Sequence, residues 1–133
     1  MNRRKRLGQH FLIDRGVARA IAAALPDIPA RVLEVGPGTG ALTRELLARF
    51  SRVVALEIDR SLAARLAASL GRPNGLTVIE GDALEFDLER LTGSEPWLVA
   101  GNLPYSVATP ILRRFLRSAQ LFPAAVFMVQ EEV

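Results

Sequence analysis

Arg31-Val32-Leu33-Glu34-Val35-Gly36-Pro37-Gly38-Thr39-Gly40-Ala41-Leu42-Thr43 is the stretch on which the fold turns. Arg31 to Val35 is a short run, apolar through its middle apart from Glu34, of the kind a buried strand shows. Gly36, Gly38 and Gly40 follow at alternate positions, a density of glycine that neither a strand nor a helix interior tolerates. Leu42, Leu46, Leu47 and Phe50 then recur at helical spacing. Strand, glycine turn and helix open a βαβ unit, in which glycines let a ligand approach the backbone and helix amides face an acidic group.

The same alternation continues on both sides. Val53 to Leu56 repeats the strand pattern, and Asp59 or Ser61 is placed to cap a helix carrying Leu62, Leu66 and Leu70 until Gly71 and Pro73 stop it. Asn74-Gly75 turns the chain into a third strand, Leu76 to Ile79. Trp97 to Ala100 reads as a fourth and Ala124 to Val129 as a fifth, joined by a helix over 108–116 with Pro110 in its first turn. Asp14 caps a helix through Ala24. The expectation is an α/β domain with a parallel sheet of about five strands, its functional loops at the carboxyl ends of the strands.

At 133 residues the chain holds one core, and no apolar run approaches the ~20 residues that cross a bilayer. Met1-Asn2-Arg3-Arg4-Lys5-Arg6 is basic but is not followed by the apolar stretch of a secretory signal, so a cytoplasmic location is expected. Zero cysteines rule out disulfides and a thiolate nucleophile, and a single histidine cannot build a histidine metal site; metal-free chemistry is expected. The net charge of +3 is concentrated in Arg3, Arg4, Lys5 and Arg6, because the other 13 basic and 14 acidic residues leave −1. Such an arm neutralises nucleic-acid phosphates or is a solvated terminus, and composition alone leaves both readings open.

Glu57 ends the second strand 17 positions after Gly40, where a carboxylate accepts hydrogen bonds from both ribose hydroxyls of a nucleotide-like ligand. Gly36, Gly38 and Ala41 also satisfy a dinucleotide fingerprint, so NAD competes at this point with S-adenosylmethionine. Gly81-Asp82-Ala83-Leu84, at the end of the third strand, places a carboxylate to accept from an adenine amine beside a flat apolar contact; the plainer reading is that Asp82 caps a turn. Glu34, Glu57 and Asp82 together favour S-adenosylmethionine.

Asn102-Leu103-Pro104-Tyr105 follows the fourth strand and reports on the methyl acceptor. An aromatic amine is a poor nucleophile because its lone pair is delocalised. If the Asn102 side-chain oxygen and the Leu103 carbonyl accept its hydrogens, the nitrogen is drawn toward tetrahedral geometry and its lone pair toward the methyl donor. Pro104 has no N–H and fixes φ, holding the Leu103 carbonyl outward, and Tyr105 offers a ring for an extruded base. An ordinary strand-to-helix turn is the plainer alternative. Gly8-Gln9-His10-Phe11-Leu12 is placed to fold over the methionine end of the cofactor, with Gln9 and His10 as donors.

With these segments assembled, the chain resembles the rRNA adenine dimethyltransferase family, and within it the small-subunit, KsgA-like branch. Gly8 to Leu12, Glu34 to Thr43, Leu56-Glu57-Ile58-Asp59, Gly81-Asp82-Ala83, Asn102 to Tyr105 and Val129-Gln130-Glu131-Glu132-Val133 carry the likeness, in the family's order. The resemblance implies a Rossmann-like S-adenosylmethionine-dependent methyltransferase fold, S-adenosylhomocysteine as product, and the exocyclic amines of two adjacent small-subunit rRNA adenines as acceptors. It implies a cofactor set of Gln9, His10, Leu12, Glu34, Gly36, Gly38, Gly40, Glu57, Ile58, Asp82, Ala83 and Asn102, and a target-base set of Asn102, Leu103, Pro104 and Tyr105. Residues 1–12 would form a basic arm and cofactor cover, and 13–133 the cofactor-binding domain. The partner implied is small-subunit rRNA or the pre-ribosomal small subunit, with no membrane and no metal. Family members carry further strands and a helical domain after the fifth strand, so this chain is expected to be truncated, leaving its fifth strand as a sheet edge.

Large-subunit rRNA adenine methyltransferases share the plan, but usually have isoleucine where Leu103 stands. A glutamine-side-chain methyltransferase would share an Asn-x-Pro-Tyr segment, against which Gly8 to Leu12 argues. An NAD-dependent oxidoreductase would leave Asn102 to Tyr105 without a hydride-transfer partner. A non-catalytic cofactor- and RNA-binding ribosome-assembly module remains the alternative from another class.

Overall fold

A computed structural model describes residues 13–131. The elements are α1 (Arg15–Ala24), β1 (Arg31–Val35), α2 (Ala41–Arg49), β2 (Arg52–Glu57), α3 (Arg60–Ser69), β3 (Leu76–Glu80), α4 (Leu88–Thr92), β4 (Leu98–Pro104), α5 (Tyr105–Arg117) and β5 (Ala124–Gln130). The strands form one parallel sheet in the order β3-β2-β1-β4-β5. Strand order therefore reverses between β1 and β4, and the crevice above that point is where open α/β sheets hold ligands.

Each strand sends alternate residues to opposite faces. On one face Val32, Val53, Leu98 and Ala100 pack with Ala18, Ile21 and Leu25 around α1 and with Leu42, Leu46 and Phe50 of α2 and its end. On the other, Leu33, Val35, Val54, Leu56 and Val99 pack with Leu88, Val107, Ile111 and Phe115 of α4 and α5. The helix starts follow local chemistry: Asp14 Oδ1 accepts from Val17 N at 2.8 Å, and Asp59 rather than Ser61 caps α3, accepting from Leu62 N at 3.0 Å.

Three features differ from the sequence expectation. The one-turn helix α4, capped by Asp87, was not expected, being too short to show a period. β4 runs four residues beyond Ala100, to Pro104, because β5 accompanies it to the end, pairing Asn102 with Met128, Leu103 with Val129 and Pro104 with Gln130. Helix α5 begins at Tyr105, so Pro110 lies inside it rather than in its first turn. Its missing N–H forfeits one i→i−4 bond, yet the helix holds through buried Val107, Ala108, Ile111 and Phe115.

Candidate functional site

The loop after β1 is shaped by its glycines. Gly38 and Gly40 have φ of +58° and +97°, in the left-handed region that other residues rarely adopt. A Cβ at Gly38 would meet nothing within 4 Å, so the space above it is open, whereas one at Gly40 would stand 2.9 Å from Leu66 Cδ1. Gly36 shares the left-handed conformation, and its N–H extends the β1–β2 ladder by donating to Leu56 O at 3.0 Å. Gly40 caps α2 without a side-chain acceptor, so the first amides of that helix are offered to the crevice.

Glu57, the last residue of β2, is fully buried beneath this loop. Its Oε1 accepts from Gly38 N at 3.0 Å and its Oε2 from Asp59 N at 2.9 Å. Burial pushes its carboxyl above the usual range, opposed by the N–H groups of Asp59 and Gly38. One carboxylate thus fixes the glycine loop and the start of α3, with the Ile58 N–H adding to its hold.

Glu34 projects to the same face as Glu57, in register between Ala55 and Ala100, whose small side chains leave it room. It is buried, and Thr43 Oγ1 donates to its Oε1 at 2.5 Å. Desolvation raises its pKa to about 8; the Thr43 hydroxyl opposes the shift and the nearby Glu57 carboxylate reinforces it. Glu34 is therefore mostly protonated at neutral pH.

Across the ends of β1, β2 and β3 runs a narrow apolar slot lined by Val35, Gly36, Leu56, Ile58, Gly81 and Ala83. Asp82, nearly buried, follows Gly81 and accepts from Leu84 N at 2.9 Å, so it does hold its own turn. The Asp82 carbonyl accepts from Glu85 N and Phe86 N, closing the loop tightly.

On the other side of the switch point stand Asn102 to Tyr105. Leu103 and Pro104 are buried, and Tyr105 is 69% exposed at the first position of α5. Asn102 Oδ1 is buried with no hydrogen-bond partner. Alternation puts Asn102 on the same face as Glu34, Ala100 and Val126. Gln130, two residues beyond Met128 on the neighbouring strand, has a buried, unpartnered Oε1 as well. A buried carbonyl without a donor costs about 1–3 kcal/mol, so the Asn102 oxygen marks a place that calls for an N–H group beyond those the described residues supply.

The fold thus gathers Glu34, Gly36, Gly38, Gly40, Glu57, Ile58, Asp82, Ala83 and Asn102 to Tyr105 at one end of one sheet. Gln9, His10 and Leu12 lie outside the described residues. Nothing in the local sequence marks the Gln130 side chain, although its segment carries part of the resemblance, or Arg114, which donates to Ala83 O and Phe86 O. Among the described residues there is no group of three or more His, Asp or Glu placed to hold a metal, and no helix is long and apolar enough to cross a membrane.

A parallel sheet with this order, a glycine loop after β1 and acidic residues at successive strand ends define the Rossmann-like methyltransferase class. Solved structures agree: the chain is similar to the 23S rRNA methyltransferase ErmE, with a TM-score of 0.76 and 33% identity over 91% of this chain and 48% of that one. It is similar too to a dimethyladenosine transferase from Plasmodium falciparum, with a TM-score of 0.74 and 29% identity over 91% of this chain and 43% of that one.

The chain belongs to the ribosomal RNA adenine dimethylase family, whose model matches residues 1–133. Among curated relatives, ribosomal RNA small subunit methyltransferase A of Geobacter sulfurreducens is 45% identical over 98% of this chain and 49% of its own length. The protein of the same name from Methylococcus capsulatus is 43% identical over 98% of this chain and 51% of its own. The chain spans about half the length of the curated relatives it matches.

Proposed function

We propose that this chain binds S-adenosylmethionine and is the catalytic part of an enzyme that dimethylates the exocyclic amine of adenine in small-subunit rRNA. The observation that carries the reading is the buried, unpartnered Asn102 Oδ1 at the head of Asn-Leu-Pro-Tyr, beside the glycine-loop crevice. An acceptor held in place before its donor arrives suits an N–H group of the substrate.

The residues fit the cofactor. Glu57 stands at the end of β2 under the glycine loop, the place of a ribose acceptor, Ile58, Gly81 and Ala83 line an apolar slot on the adenine side, and the open space over Gly36 and Gly38 suits the methionine part. Bound there, S-adenosylmethionine supplies an electrophilic methyl group and leaves as S-adenosylhomocysteine.

Asn102 Oδ1 and the Leu103 carbonyl accept the two amine hydrogens, so the nitrogen lone pair turns out of conjugation and toward the methyl carbon. Tyr105, exposed at the helix start, stacks on the extruded base. The proton is lost after attack, so no general base is assigned. Rate enhancement comes from holding nitrogen and methyl carbon in line. Residues 1–12 are proposed as a basic arm and cofactor cover, with Gln9, His10 and Leu12 at the methionine end, and 13–133 as the cofactor-binding domain.

The small-subunit acceptor is supported by the names of the 43–45% identical relatives and by Leu103. The similarity to ErmE supports a large-subunit acceptor as the second reading. The partner is small-subunit rRNA or its precursor particle, and the location where such particles are made is the cytoplasm.

Methyl incorporation into unmethylated small and large subunits tests the reading. Wild type should label small subunits, and Asn102→Ala should abolish labelling while leaving cofactor affinity within about threefold. Label in large subunits alone would move the acceptor. A folded chain that binds cofactor and rRNA but labels neither would instead support a non-catalytic assembly module.

A further inference from the structure

The slot that we assign to the adenine of the cofactor is closed by the loop from Gly81 to Phe86, and this loop is fastened from outside the sheet. Arg114, on α5 ten residues after Pro104, reaches across to it. Its Nη1 donates to Ala83 O at 2.6 Å, and its Nη2 donates to Phe86 O. The two carbonyls bracket the loop, whose interior is already fixed by Asp82: Oδ1 accepts from Leu84 N, and the carbonyl from Glu85 N and Phe86 N. Asp82 gives the loop its shape, whereas Arg114 gives it its place.

We propose that Arg114 is a positioning residue for cofactor binding: its guanidinium ties the adenine loop to the helix that starts at the target-base segment. The inference rests on the cofactor reading above. The chemistry favours arginine specifically. A planar fork can donate along two directions at once to two carbonyls held apart, whereas an ammonium is a point charge on a flexible stem and satisfies one at a time. The connection is also direct. Pro104 closes β4, Tyr105 opens α5, and two turns later the same rigid helix carries the group that holds Ala83. The position of the base-binding segment and that of the adenine loop are thereby set by one element.

The test uses Arg114→Lys and Arg114→Met, with two readouts. The first is calorimetric affinity for S-adenosylhomocysteine. Arg114→Met should bind about tenfold more weakly than wild type and Arg114→Lys between the two, as expected for losing charge-assisted bonds that pre-organise a site. The second is amide hydrogen exchange in the ligand-free protein. Exchange at Leu84, Glu85 and Phe86 should speed up in both variants while that of β1 and β2 is unchanged. Unchanged affinity in folded variants, or a lower melting temperature with unaltered exchange at these three amides, would overturn the proposal. Should wild type itself not bind S-adenosylhomocysteine, the cofactor reading fails, and faster loop exchange in the variants would still establish the tether. If Arg114→Met does not fold, Arg114→Lys decides by the same readouts.

Discussion

Glu34 makes the stability of the ligand-free protein fall as pH rises, and Glu34→Gln should remove that fall. The carboxyl is buried against Thr43 with a pKa of about 8, raised from 4.5. Below the lower value both folded and unfolded chains are protonated there, and the full stability is present. Between the two values the unfolded chain ionises and the folded one does not, so stability is lost until the folded carboxyl ionises as well. At 1.36 kcal/mol per pKa unit, the loss from pH 5 to pH 8 is about 3 kcal/mol. For a domain of this size that is a melting-temperature drop of roughly 10 °C.

Glutamine keeps the shape and the oxygen that accepts from Thr43 but never ionises. Glu57 is raised in the same direction in both proteins and largely cancels in the difference. Thermal and urea unfolding of wild type and Glu34→Gln should therefore converge near pH 5 and separate toward pH 8, with the variant the more stable. Parallel profiles, or a wild type that gains on the variant as pH rises, would show that Glu34 is ionised in the fold and refute the argument.

Glu57→Ala should weaken S-adenosylmethionine binding by about 1.5–3 kcal/mol, the range for hydrogen bonds to a charged group. An unchanged dissociation constant would remove Glu57 from the ribose. The same change unties Gly38 from Asp59, so its melting temperature should drop as well. Gly40→Ala should destabilise the protein by about 1–3 kcal/mol, and more than Gly38→Ala, because both force a left-handed alanine but only the Gly40 methyl also strikes Leu66 and Leu70. Equal denaturant midpoints for the two variants would contradict this.

Periodicity and composition were enough to place the five strands, because each is apolar and separated from the next by a capped helix or a turn. The ends of the elements were harder to place, since they depend on what lies alongside. Asn102 to Pro104 are strand only because β5 runs beside them, and a pairing partner 26 residues away leaves no local trace. The same register sets Gln130 against Pro104, diagonal to Asn102, a placement that nothing in the local sequence signals. Glu57 was read as a carboxylate waiting for ribose. Its hold on the glycine loop from below depends on a loop conformation that only the folded chain shows. Arg114 looked like one more basic residue on an amphipathic helix, and its contacts span 28 and 31 residues.

The sheet order also sets a timetable for synthesis. β2 and β3 are added on one side of β1 in sequence order, but the partner on its other side is β4, with Val32 waiting for Leu98. At roughly 5–20 residues per second, those 66 positions take about 3–13 s to emerge. Throughout that interval the future centre of the sheet is an open edge of Val32, Leu33 and Val35, apolar and without its partner strand.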